Sequence, residues 1–212
     1  MAAPGPLPMV SQLSSNGDSV STRILALSGS SRRDSLNQKL LDIAAHGARD
    51  AGATVTSIRL ADYPLPLYDG DLEADHGLPT EAGRLQLEFG RHDAFLIATP
   101  EYNGGYTAAL KNALDWVSRP QPDGTSGVAL FSGKVVAMVS ASPGQLGGLR
   151  SQTGLRSVLD KLGLLVIPES FALGLAHQAF DGEGRLKDKN AEKAVTQVGV
   201  ALGRTAGRLA TR

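Results

Sequence analysis

Three polar, glycine-containing stretches of the sequence have the residue types that hold a phosphate and a planar ring. The first reads GSSRRDSLN at residues 29–37, the second TPEYNGGYT at residues 99–107, and the third SASPGQLGGLR at residues 140–150. Hydroxyls, amides, guanidinium groups and glycine backbone are hydrogen-bonding and close-contact groups. The chemistry that these stretches predict is therefore the binding of a small ligand.

The stretch at residues 29–37 precedes a predicted helix and has the composition of an anion site. Backbone N–H groups at a helix start, with Ser and Asn side chains, suit a terminal phosphate monoester. The alternative is a plain helix cap, with Ser35 as N-cap and Arg32 and Arg33 solvated. The stretch has neither Gly-Lys-Ser/Thr nor G-x-G-x-x-G, which disfavours a P-loop and a primary dinucleotide site of the Rossmann kind.

The stretch at residues 99–107 offers flat faces and ring-binding groups. Tyr102 and Tyr106 can stack, Asn103 can pair with ring heteroatoms, and two glycines allow close backbone approach. The alternative is an ordinary strand–helix turn with Thr107 capping the helix, which explains the glycines but not the aromatic and amide groups together.

In the stretch at residues 140–150, three glycines lie within five residues. They indicate backbone contact with a ligand, where N–H groups would face a ring carbonyl. Simple loop flexibility is the alternative. The three stretches together argue more strongly for a ligand site than any one of them does.

Apolar runs and helical spacing alternate along the rest of the chain. The runs predict strands, alternation predicts the strand at residues 54–60, and the spacing predicts helices. The predicted strands are residues 24–27 within 22–28, 54–60, 93–99, 134–141 and 164–168, and the predicted helices are residues 35–51, 80–90, 107–118, 149–162 and 190–209. Long loops are expected at about 61–79 and at 119–133. This alternation predicts an α/β fold, a parallel sheet between two helical layers.

Five strands fit a flavodoxin-like three-layer sandwich with the sheet order 2-1-3-4-5 better than a six-stranded dinucleotide fold. Ligands of such sheets bind beyond the carboxyl ends of the strands, near the switch point between the first and third. The three stretches follow strands one, three and four, so we expect them to meet there. We predict one domain over residues 22–212 and a disordered Ala-, Pro-, Gly- and Ser-rich tail over residues 1–21.

Composition narrows the classes of function. The chain has no cysteine, which excludes thiolate chemistry and cysteine-ligated metals, so redox chemistry would need a bound cofactor. Its four histidines lack metal-ligand spacing, and we expect no metal site. The formal net charge of +0 argues against nucleic acid. With no apolar run near the about 20 residues of a membrane helix and no signal peptide, a cytoplasmic protein is expected.

Three segments resemble the NADPH-dependent FMN reductase family, which includes bacterial quinone and chromate reductases. They are the first stretch, PEYNGGYTAALKNALDWVSRP at residues 100–120 and SPGQLGG at residues 142–148. The resemblance covers about residues 23–167. Thr107 departs from the family, since many relatives carry proline there, and the tail before Ser21 is longer than the family needs.

The resemblance implies a non-covalently bound FMN, with NAD(P)H as co-substrate. It implies that the FMN phosphate is bound by Ser30, Arg32, Ser35 and Asn37. The ribityl chain and isoalloxazine are then expected beside Pro100, Glu101, Tyr102, Asn103 and Gly104. The far edge of the ring is expected beside Ser142, Gly144, Gly147 and Gly148.

The family also implies a homodimer or a dimer of dimers with the flavin near the interface. The LKNALDW helix is the candidate interface element, and the alternative is a core helix in which Trp116 only packs. Arg150 is expected to be an exposed arginine at a helix start rather than a contact for a nicotinamide phosphate.

The expected reaction is hydride transfer from NAD(P)H through FMN to a small acceptor: a quinone, free flavin, azo dye, chromate or ferric complex. Both half-reactions would share one site in a ping-pong cycle, with no catalytic side chain and with Glu101 and Tyr102 as orienting groups at most. The alternative is a flavodoxin-like electron carrier or a flavin sensor without turnover. Flavodoxins are usually strongly acidic, so the neutral charge counts against the carrier.

Overall fold

The computed structural model describes residues 21–210 of the chain. The predicted disordered tail therefore lies, except for Ser21, outside the described residues. Among residues 21–210, no helix has the length and apolar character that a membrane span requires.

Five parallel strands form one sheet, and its order confirms the prediction. The strands are β1 (Arg23–Ser28), β2 (Thr54–Arg59), β3 (Ala94–Ala98), β4 (Val135–Ala141) and β5 (Leu165–Leu173). The observed order is β2-β1-β3-β4-β5, and every pairing is parallel. The switch point thus lies between β1 and β3, as the sequence predicts.

The five predicted helices are all present, with ends that agree to within one residue. They are α1 (Leu36–Asp50), α3 (Thr80–Arg91), α4 (Ala108–Val117), α5 (Leu149–Lys161) and α7 (Lys189–Ala210). Two short helices, α2 (Gly70–His76) and α6 (Ala176–Ala179), were not predicted. The α2 helix begins in the expected loop because Asp69 accepts hydrogen bonds from two backbone N–H groups of its first turn.

The last strand is longer than the sequence predicts. It was expected to end at Pro168 and instead continues to Leu173. β5 lies at the edge of the sheet, where a residue without an N–H is tolerated. The register against β4 also shifts between Val136 and Met138, which pair with Val166 and Ser170. Pro168 therefore lies within the irregular part of the strand pairing.

Alternate residues of the central strands face two separate hydrophobic cores. Ile24 and Ala26 of β1 pack with α1 and α7, whereas Leu25 and Leu27 pack with α3, α4 and α5. The α1 and α7 helices approach each other closely, since a Cβ added at Gly199 would collide with the carbonyl of Ala44. This packing fixes α1, and with it the loop that follows β1.

Candidate cofactor site

The loop between β1 and α1 turns sharply against the loop that follows β3. The Gly29 N–H donates to the Ala98 carbonyl at 2.9 Å. A Cβ at Gly29 would lie 2.9 Å from Thr107 Oγ1 and 3.1 Å from Leu110 Cβ, so a larger residue would push the two loops apart. The Thr107 hydroxyl donates to the Gly29 carbonyl at 2.8 Å.

A row of unpaired backbone donors lies at the start of α1. Ser35 is the N-cap and accepts from the Gln38 N–H at 3.2 Å, as the cap alternative predicts. Within residues 21–210, however, the N–H groups of Ser31 and of residues 33–37 make no hydrogen bond. Unpaired donors at a helix N-terminus favour an anion. The N–H groups of Leu36 and Asn37 are left free at the start of any helix, whereas those of Ser31 and residues 33–35 lie before α1. Together these donors fit a phosphate monoester.

The charges of this loop leave two arginines for a ligand. Asp34 pairs with Lys39 at 2.7 Å. That hydrogen bond and charge, with a smaller contribution from Arg32, hold the pKa of the Asp34 carboxyl below its ordinary value. Arg32 and Arg33 are exposed, and neither makes a salt bridge within the described part of the chain. The positive charge expected around a phosphate is therefore available.

Asn37 is buried and joins the start of α1 to the end of β4. Its Nδ2 donates to the Ala141 carbonyl at 2.8 Å, and its Oδ1 accepts from the Ala141 N–H at 2.9 Å. The side chain thus holds two loops of the site together. This geometry gives the side chain a positioning role, while the backbone N–H of Asn37 is one of the unpaired donors at the start of α1.

The loop after β3 is a small hairpin. Tyr102 and Gly105 exchange backbone hydrogen bonds at 2.9 and 3.0 Å. Asn103 and Gly104 between them have φ values of 52° and 81°, as in the Asn-Gly turn that joins two paired strands. The turn presents Tyr102 with 52% of its surface exposed. An exposed aromatic ring on a fixed turn is suited to stacking on a planar ligand.

The glycines of the loop after β4 divide into two kinds. Gly147 and Gly148 are buried with φ values of 63° and 91°. Added Cβ atoms would lie 2.6 Å from the Ala172 backbone and 2.8 Å from Ser140 Cβ. Close packing of the loop against the sheet therefore requires glycine at both positions.

The outer part of this loop faces solvent. Gly144 is exposed and its N–H donates to the half-buried Ser142 hydroxyl at 3.2 Å. The N–H groups of Gln145 and Leu146 make no hydrogen bond within the described chain. These donors suit the ring carbonyls that the sequence predicts here.

An ion pair on the rim joins the loop after β3 to the start of α5. Arg150 Nε donates to Glu101 Oε1 at 2.7 Å. The Glu101 side chain is only 7% exposed, whereas Arg150 is 62% exposed. Glu101 Oε2 is buried and has no hydrogen-bond partner among the described residues. Arg150 is an exposed helix-start arginine, as expected, but its partner was not foreseen.

The α4 helix holds the segment at residues 60–68, which follows β2, by three hydrogen bonds. Asn112 Oδ1 accepts from the Tyr68 N–H at 2.8 Å. Asn112 Nδ2 and Trp116 Nε1 donate to the Pro66 carbonyl at 2.9 and 2.8 Å. The segment helps to line a cavity of about 210 Å³ whose lining also includes Ser31. Trp116 is fully buried, as in a core helix, and its hydrogen bond to Pro66 means that it does more than pack; the interface role of this helix stays a prediction.

Sequence reasoning also passed over Ser151 and Gln152 in the first turn of α5. Both are buried, and both lie one or two turns before the apolar Leu155 and Leu159. Polar residues at buried positions of an amphipathic helix are the signal that points to them.

The sheet order β2-β1-β3-β4-β5 with helices on both faces defines a flavodoxin-like fold. A similar solved structure is FerB of Paracoccus denitrificans, described as a flavoenzyme NAD(P)H:(acceptor) oxidoreductase. It has a TM-score of 0.73 and 29% identity, over 88% of this chain and 98% of FerB. A flavodoxin from the domain Archaea, at TM-score 0.55 and 9% identity, shares the fold.

A sequence model of the NADPH-dependent FMN reductase family matches residues 22–178, and the chain belongs to this family. It is therefore an oxidoreductase that uses FMN and a nicotinamide dinucleotide. An NAD(P)H-dependent FMN reductase of Pseudomonas aeruginosa is 40% identical over 180 residues, which are 82% of this chain and 90% of the relative. An NAD(P)H:quinone oxidoreductase of Solanum tuberosum is 38% identical over 186 residues, 85% and 90% of the two chains.

Proposed function

We propose that the three loops bind one FMN and that the chain uses it to pass hydride from NAD(P)H to a small acceptor. The observation that carries this proposal is the row of unpaired N–H groups at the start of α1. These donors lie beside two unpaired arginines and at the same sheet edge as the aromatic hairpin. A phosphate-tailed planar ring satisfies both features at once.

We assign roles to the site residues from their contacts. Ser30, Arg32, Ser35 and the free N–H groups of residues 33–37 would hold the phosphate. Tyr102, Asn103 and Gly104 would face the ring beside Pro100 and Glu101, and Ser142 and Gly144 would face its other edge. The Asn37 side chain, Gly147 and Gly148 would hold these loops in position.

Bound FMN supplies the hydride chemistry, and the chain supplies binding, orientation and the exclusion of water. Glu101 is held by Arg150 and orients the hairpin, and Tyr102 presents a flat face. We assign proton transfer to no side chain of the site. We expect the nicotinamide and the acceptor to occupy the same place beside the flavin in turn, which gives a ping-pong cycle.

We propose quinones as the acceptor class to test first, because the curated relatives include quinone reductases from Pseudomonas putida and plants. Free flavin, azo dyes, chromate and ferric complexes are the further candidates. We also propose a cytoplasmic homodimer or dimer of dimers. Four exposed apolar side chains near the loops support a second copy there: Tyr102, Leu146, Leu149 and Leu175.

Anaerobic reduction tests the proposed function. The protein loaded with FMN should lose its visible flavin absorbance when NADH or NADPH is added and regain it when a quinone follows. Double-reciprocal plots at several quinone concentrations should be parallel. A protein that binds FMN but is bleached by neither nicotinamide would be a carrier or sensor, and the reductase proposal would fail.

A further inference from the structure

The first turn of α5 reaches under two of the three loops. Ser151 Oγ donates to the Thr99 carbonyl at 2.8 Å, at the start of the loop after β3. Gln152 Nε2 donates to Ser140 Oγ at 2.7 Å, near the end of β4 and just before the loop that follows it. Thr99, Ser140 and Ser151 are fully buried. Two consecutive residues therefore set how these loops lie relative to each other.

Gln152 makes the more extensive connection. Its side-chain nitrogen also donates to the Phe171 carbonyl of β5 at 2.8 Å, and the residue is 4% exposed. The Ser140 hydroxyl, which accepts from Gln152, donates in turn to the Gly147 carbonyl at 2.7 Å. One amide thus links β4, β5 and the returning part of the loop after β4.

We propose that Gln152 is a positioning residue for the FMN site. It lies beneath the loops, so it would act on the flavin through Ser140 and Gly147 without touching it. Loss of a buried donor leaves its acceptors unpaired, and the loop is expected to shift to recover hydrogen bonds. A site whose loops are no longer preorganised binds its ligand more weakly. This inference rests on the proposed function.

A matched pair of glutamine variants tests the role. Gln86 of α3 is also buried, at 3% exposure. Its Nε2 donates to the carbonyls of Val117 and Arg119 at 3.2 and 2.9 Å. These acceptors lie at the C-terminal end of α4, whereas the three loops meet at its N-terminal end. Gln152→Met and Gln86→Met therefore remove the same kind of connection at opposite ends of the fold.

The readouts are the thermal midpoint, the FMN dissociation constant, and the midpoint potential and visible circular dichroism of bound flavin. Both variants should unfold at a lower temperature. Only Gln152→Met should weaken FMN binding, roughly three- to tenfold, and change the potential and the dichroism. If the two variants keep wild-type flavin properties, or change them equally, Gln152 is merely structural and the proposal is overturned.

Ser140→Ala provides a second approach if Gln152→Met does not fold, because it removes only a hydroxyl. Wild-type affinity and potential in Ser140→Ala would overturn the proposal. If the Gln152→Met, Ser140→Ala double variant folds, it should lose no more FMN affinity than whichever of its two single variants binds FMN more weakly. The reason is that both changes break the same connection. Additive losses would contradict it.

Titration of the wild-type protein with FMN distinguishes failure of the proposed function from failure of the proposed role of Gln152. A wild-type protein that takes up no FMN refutes the proposed function and this inference together. A wild-type protein that binds FMN, with glutamine variants that behave alike, refutes the role of Gln152 alone.

Discussion

An Arg32→Ala, Ser35→Ala double variant should bind FMN about a hundredfold more weakly than the wild-type chain, while its affinity for riboflavin changes little. Hydrogen bonds to a charged partner contribute about 1.5–3 kcal/mol each. The loss of two such groups therefore corresponds to about a hundredfold or more in affinity. Riboflavin lacks the phosphate and reports on the rest of the site. The measurement is a fluorescence titration with each flavin.

The control for this experiment separates anion binding from helix capping. Ser35 caps α1, and the loss of a capping serine costs about 1 kcal/mol of stability. Ser126 caps the short helical turn Gly127–Leu130, so Ser126→Ala removes a cap outside the three loops and should leave both affinities unchanged. Equal losses for FMN and riboflavin in the double variant would contradict a phosphate site at this loop.

The same glycine-to-alanine change should have opposite effects in two helices. In α7, a Cβ at Gly199 would collide with the Ala44 carbonyl of α1, and backbone cannot move aside locally. Gly199→Ala should therefore destabilise the protein by about 3 kcal/mol or more. In α3, a Cβ at Gly83 would meet only Leu78 Cδ2 at 3.8 Å. Gly83→Ala should stabilise the protein by about 0.5–1 kcal/mol.

Urea unfolding of both variants beside the wild-type chain measures these changes directly. Ser35 caps α1 and Asn37 lies in its first turn, so displacement of α1 in Gly199→Ala should also weaken FMN binding. Gly83→Ala should leave FMN affinity unchanged. Similar stabilities of the two variants would show that the close approach of α1 and α7 does not limit packing.

The sequence predicts those features that depend on local pattern. Buried apolar runs identify β1, β3 and β4, alternation identifies β2, and Ser35 and Thr107 are recognisable as helix caps. The predicted end of β5 at Pro168 is wrong. Proline is tolerated in an edge strand, and the neighbouring residues do not show that β5 lies at the edge of the sheet. The α2 helix was missed since it is short and has no buried residue, which leaves no periodic signal.

The candidate site was predicted less completely, because its residues act through contacts distant in sequence. Matching to a family placed Asn37, Gly147 and Gly148 among ligand contacts. Their contact with the ligand stays a prediction; in the structure the Asn37 side chain pairs with Ala141, 104 positions away, and the glycines pack against the sheet. The partner of Arg150 is 49 positions away in the chain. No local pattern identifies such pairs, although a buried polar residue on an apolar helix face, such as Gln152, indicates that a partner exists.

A crystal structure of the protein with FMN would test the central claim most directly. We expect the phosphate oxygens within hydrogen-bonding distance of Ser35 and of the N–H groups of residues 33–37. The ring should lie between the Tyr102 hairpin and residues 143–146. A flavin bound elsewhere, or a phosphate directed away from the start of α1, would contradict the account.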